Sequence, residues 1–90
     1  MDIEKFIEIF EDEEMGGCLL SKLDDDNAFL GLEIIRKYLP KKGIEGADHD
    51  IIYSVEIDEL IEAGINRQDV EMLHKLNWSI SESTYLSCFV

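Results

Sequence analysis

Charge limits the shapes open to this chain more than any other feature. Twenty-one aspartates and glutamates stand against eight lysines and arginines, a formal net charge of −13 over 90 residues. That much like charge opposes compaction, so folding requires apolar residues to gather on one side of each element and leave the carboxylates to water. Apolar residues are 46% of the sequence, enough for a core and too many for a disordered acidic tail. A chain of 90 residues is read as one domain, 1–90, with a simple core. The charge disfavours contact with nucleic acid and anionic membranes and favours basic surfaces, including those of nucleic-acid-binding proteins. Plain solubility is the competing reading.

The apolar pattern divides the chain into elements. Residues 2–14, DIEKFIEIFEDEE, place Ile3, Phe6, Ile7 and Phe10 on one helical face, with Asp2 as N-cap. Glu11 to Glu14 crowd the negative end of that helix's dipole, so its last turn is expected to be weak before Gly16 and Gly17. One of Asp24, Asp25 or Asp26 should cap a second helix, AFLGLEIIRKYL, which Pro40 stops. Ala28, Gly31, Leu32, Ile35 and Leu39 share its inner face, and Leu30, Ile34 and Tyr38 widen it. This is the most apolar helix and the expected centre of the core.

KKGIEGADHD reads as a loop and IIYSV (51–55) as a short strand. EIDELIEAGINRQDVEMLHKLN reads as helix, turn, helix. Gly64 suits the position just past a helix end, and Asn66 with Asp69 three residues on resembles a capping box. Leu60, Ile61, Val70, Leu73 and Leu76 supply the inner face. WSISESTYLSCFV alternates twice around SEST and reads as a β-hairpin, with Trp78, Ile80, Leu86, Cys88 and Val90 inward. The expected fold class is α+β: about four helices packed on one face of a small antiparallel sheet of about three strands, ending in a C-terminal β-hairpin.

Several short motifs invite chemistry. Asp48, His49 and Asp50 stand in a row, but the soft ligands Cys18, His49, His74 and Cys88 lack the close paired spacing of a zinc site. The trio is expected to be a loop exit that binds no metal. In DDDNAF, an EF-hand register starting at Asp24 would put Ala28 at the fifth position and Phe29 where glycine is required, so helix capping explains the run better. Cys88 and His74, with Asp50 as orienting group, could form a thiolate pair; Cys88 in the apolar CFV end reads instead as a small core residue. ELIEAGINRQDVEML is like a helix-hairpin-helix, yet Arg67 is its lone cation among Glu59, Glu62, Asp69 and Glu71, so no DNA contact is expected. Arg36, Lys37, Lys41 and Lys42 are half of all the positive charge, a small cluster against −13.

EAGI (62–65), LNW (76–78) and CFV (88–90) resemble a group of small, acidic, uncharacterised proteins of bacteria and their mobile elements, over roughly the C-terminal half. In size and charge the chain also resembles acidic phage-encoded inhibitors, the DNA-mimic anti-restriction and anti-CRISPR proteins. That resemblance implies a non-enzymatic binding protein that blocks a basic groove of a host defence protein, its carboxylates standing in for phosphates. Candidate partner-binding acids are Glu8, Glu11, Asp12, Glu13 and Glu14 on the first helix, with Glu56, Asp58, Glu59 and Glu62 on the third. The alternatives are a housekeeping or dimerising module whose acids are only a solvated face, and a small metal-dependent enzyme built on Asp48, His49 and Asp50. The expected partner is a protein with a basic surface, with a second copy of the chain as a further candidate; no cofactor, direct nucleic-acid contact or membrane is expected. Asp2 and Glu4 stand where a secretory signal would be basic, no apolar run approaches a membrane span, and two cysteines make no disulfide framework. Together these point to the cytoplasm.

Overall fold

The structure, a computed structural model, describes residues 1–11 and 27–89. Among them the chain forms four helices and four strands. Helix α1 (Ile3–Glu11) starts where the Asp2 carboxylate accepts the Lys5 backbone N–H at 2.8 Å, the N-cap bond the sequence foretold. Phe6 and Ile9, three apart, are its buried residues. The expected weak last turn over Asp12 to Glu14 and the caps at Asp24 to Asp26 lie outside the described residues. Helix α2 (Asn27–Tyr38) ends before Pro40, whose carbonyl accepts two bonds from the Arg36 guanidinium, at 3.3 and 2.8 Å.

Strand β1 (Gly46–Asp48) turns through His49 and Asp50 into β2 (Ile51–Glu56). Helix α3 (Ile57–Glu62) follows at once, and the Glu59 carboxylate accepts the Glu56 N–H at 3.1 Å. Gly64, at φ 88°, takes the left-handed turn after it. Helix α4 (Arg67–Lys75) is capped by Asn66, whose side chain accepts from the Asp69 N–H at 2.8 Å. Asn77, at φ 69°, leads out of it into β3 (Ser79–Ser81) and β4 (Tyr85–Phe89).

The sheet order is β1-β2-β4-β3 with every neighbouring pair antiparallel. Ile80 stands opposite Leu86, and Ile52 opposite Cys88, so the apolar side chains of three strands share the face that the helices cover. Between Tyr53 and Glu56 two residues of β2 oppose one of β4. This bulge allows both Ser54 and Val55 to be buried, the Ser54 hydroxyl donating to the Gly43 carbonyl.

The α+β class, the helical cover on one face and the C-terminal hairpin agree with the sequence reading; the strand count is four rather than three. The added strand, Gly-Ala-Asp, has no apolar alternation to reveal it and is extended because β2 offers it an edge. Asp48 therefore closes a strand, where a loop was expected, and only His49 and Asp50 make the turn. The second correction concerns α2. Of its hydrophobic residues only Ile35 is fully buried, while Leu30 and Phe29 are exposed. The core centres instead on Val55, Ile57, Leu60, Val70, Leu73, Trp78 and Leu86, with Phe6 and Ile9 of α1, and α2 is a flank.

Candidate functional site

Helix α1 packs against α3 and α4, which sets two carboxylate-bearing helices side by side. On α1 the exposed acids are Glu4, Glu8 and Glu11, at spacings of four and three residues, so they form one stripe opposite buried Phe6 and Ile9. Successive carboxylates are separated by roughly 6 and 4.5 Å along the helix axis. Lys5 lies 3.7 Å from Glu8 with both side chains in water, a weak compensation. Glu4 and Glu11 make no ion pair among the described residues.

On α3, Asp58 and Glu62 are exposed one turn apart and make no ion pair among the described residues. The remaining candidates differ. Glu56 ends β2 opposite Tyr85 and is half-buried. Glu59 is committed within the fold: it accepts the Glu56 N–H and lies 3.5 Å from Lys42, which also reaches Glu45 at 3.6 Å. The charge of Glu59, and then that of Glu45, raises the Lys42 pKa above its ordinary value. Asp12, Glu13 and Glu14 lie outside the described residues. Glu4 was missing from the sequence candidates, although its four- and seven-residue separation from Glu8 and Glu11 was readable.

The basic cluster is largely spent on the protein's own acceptors. Arg36 binds the Pro40 carbonyl and Lys42 its two glutamates. Lys37 lies 2.7 Å from Asp69, which also accepts the Tyr38 hydroxyl. Burial pushes the Asp69 carboxyl up, but the bonds from Lys37 and Tyr38 outweigh it and hold the carboxyl below the usual range. Burial, and then the bond to Asp69, raises the Tyr38 pKa; the separate bond from Lys37 to Asp69 raises that of Lys37. Lys41 makes no ion pair among the described residues. A phosphate-binding surface built on this cluster would have to break these internal contacts first.

The residues that invited catalytic readings are dispersed. His49 is a turn residue at φ 47°, its side chain 90% exposed and 3.7 Å from Asp48. His74 sits against the Phe10 ring, centroids 5.2 Å apart, in a cleft of about 340 Å³ that Glu11, Asn77 and Ser79 also line. Cys88 is buried in β4, its sulfur 3.5 Å from the Asn27 amide nitrogen, a packing environment. Cys18 lies outside the described residues. Among the described residues no three His, Cys, Asp or Glu side chains converge on a point that could hold a metal ion, and no helix is long and apolar enough to cross a membrane. Comparisons with family models, with curated proteins and with solved structures found no match for this chain.

Proposed function

We propose that this protein is a non-enzymatic acidic binding protein that sets its α1 and α3 carboxylates against a basic surface of another protein. In the sharper form it is a phage or mobile-element inhibitor that occupies the nucleic-acid groove of a host defence protein. The observation that carries the reading is the Glu4, Glu8 and Glu11 stripe, exposed and almost uncompensated, on a helix that packs against the one carrying exposed Asp58 and Glu62. The spacing of these charges along α1, roughly 4.5–6 Å, is of the same order as the 3.4 Å rise per phosphate of a DNA strand. A groove evolved to displace counterions from phosphates would gain from the same exchange here.

The test is a capture from host lysate with wild type and with the Glu4→Lys/Glu8→Lys/Glu11→Lys variant, followed by titration of the purified partner. Affinity should fall at least about tenfold between about 50 and 200 mM salt. The variant should lose most of the binding, and duplex DNA should compete for the partner. A complex indifferent to salt and to duplex DNA would sink the proposal.

A further inference from the structure

Large apolar side chains that reach water gather on and beside α2. Phe29 is 58% exposed, Ile44 56%, Met72 38% and Leu30 36%. The helix carries a groove along each side. One, about 440 Å³, runs between α2 and α4 past Leu30, Ile34 and Met72; the other, about 630 Å³, runs between α2 and the segment before β1 past Leu32 and Ile44. Glu33 and Lys37 border both grooves. The ridge between them is Phe29, Glu33 and Lys37, each four residues from the next.

We propose that a second copy of the chain docks here, α2 against α2 across a two-fold axis. A ridge of residues four apart, flanked by grooves, is the shape that a second such ridge packs into, the commonest crossing of helices in globular proteins. Charge selects the occupant. This face is lined by Arg36 and by Lys37, the latter paired with Asp69, so its cations offset its acids and it offers a basic partner no acidic surface. The face also holds Glu33, which makes no ion pair among the described residues, at mid-helix, with the cations toward the C-terminal end. An antiparallel pairing carries Glu33 of each copy toward Arg36 of the other, a cation whose bonds within the fold go to the neutral Pro40 carbonyl. Both signs on one patch is what a self-complementary interface requires. Elsewhere a chain of net charge −13 presents like charge to its copy.

Sedimentation velocity of the purified protein over a concentration series, at low and high sodium chloride, tests this. Dimer is expected, and salt should strengthen it, because screening relieves the repulsion between two acidic bodies while the apolar contact remains. Acid-stripe binding to a basic partner has the opposite salt response, so the two proposals fail separately. Phe29→Asp and, independently, Ile44→Asp should each raise the dissociation constant about tenfold or more with an unchanged circular dichroism spectrum. Glu33→Lys should weaken the dimer, and Glu4→Lys should not. A protein monomeric throughout the series overturns the inference. So does a dimer that both Asp variants leave intact, one that salt dissociates, or a Phe29→Asp variant that loses a different protein while the wild type stays monomeric.

Discussion

Trp78 occupies the space that any side chain at position 31 would need. A Cβ built on Gly31 would lie 2.0 Å from the indole Nε1 and 2.3 Å from Cε2. The same Nε1 donates to the Asn27 carbonyl at 3.0 Å, and the Asn27 side chain donates to the Leu76 carbonyl at 2.8 Å. One turn of α2 thus holds the α4–β3 junction from two sides. Gly31→Ala should cost about 3 kcal/mol, since neither backbone nor buried indole can yield cheaply. Trp78→Ala should cost about 3–5 kcal/mol, a large share of the stability of a domain this small. Gly43→Ala, where nothing lies within 4 Å, is the near-neutral control. Urea denaturation of the three variants checks the order, and equal losses at positions 31 and 43 would refute the packing argument.

The β3–β4 turn stores strain of a different kind. Glu82 and Ser83 both have positive φ, 54° and 55°, in a conformation that favours Asn and Gly. Glu82→Asn and Ser83→Gly should each stabilise by about 0.5–1 kcal/mol in the same assay.

Between elements, the contact with a pH signature is the one from α2 to α4 through Asp69. Its carboxyl accepts from Lys37 and Tyr38 while its own N–H is held by the Asn66 cap. The folded pKa lies below the unfolded one. The contribution is therefore complete above the unfolded value, about 3.9, and is lost as the pH falls through the folded value. Asp69→Asn should cost about 1 kcal/mol at neutral pH, and the gap to wild type should close below about pH 4. A gap that stays constant from neutral to acid pH would show that the carboxylate charge contributes nothing. The boundaries of α3 and α4 were readable in advance because caps are local: Gly64 takes the turn and Asn66 caps α4. Only half of the expected capping box forms, since Asp69 turns its carboxylate to Lys37 and Tyr38 and the Asn66 N–H donates to the Tyr38 hydroxyl. Strand β1 was not readable, since it depends on the edge of β2, which is distant information for Gly46, Ala47 and Asp48.

For the whole molecule, the balance of charge decides how stability responds to salt. Five ion pairs of lysine or arginine with carboxylates among the described residues, several between exposed groups, set little attraction against a net charge of −13. Sodium chloride should therefore raise the melting temperature at neutral pH, most steeply at low concentration where the screening length changes fastest. Calorimetric scans across a salt series would read this, and a melting temperature that falls with salt would mean that the internal pairs outweigh the repulsion.

Amphipathic spacing, caps and turn residues determined on their own that this chain is α+β, where most helices start and stop, and that Trp78 and Leu86 face inward. Each of these depends on neighbours within a few positions. Three matters were settled only by tertiary packing. Leu30 and Phe29 carry the same apolar character as Ile35, yet they reach water because α2 lies on the flank of a core built around β2, α3, α4 and β4. Glu59 looks like its neighbours Asp58 and Glu62, yet Lys42, seventeen positions earlier, binds it and withdraws it from the exposed set. The basic cluster reads as one patch, yet Asp69, Glu45, Glu59 and the Pro40 carbonyl divide three of its four cations among themselves. Which side chain meets which partner is a property of the assembled surface, and burial and pairing across long stretches of chain leave no local trace in the order of residues.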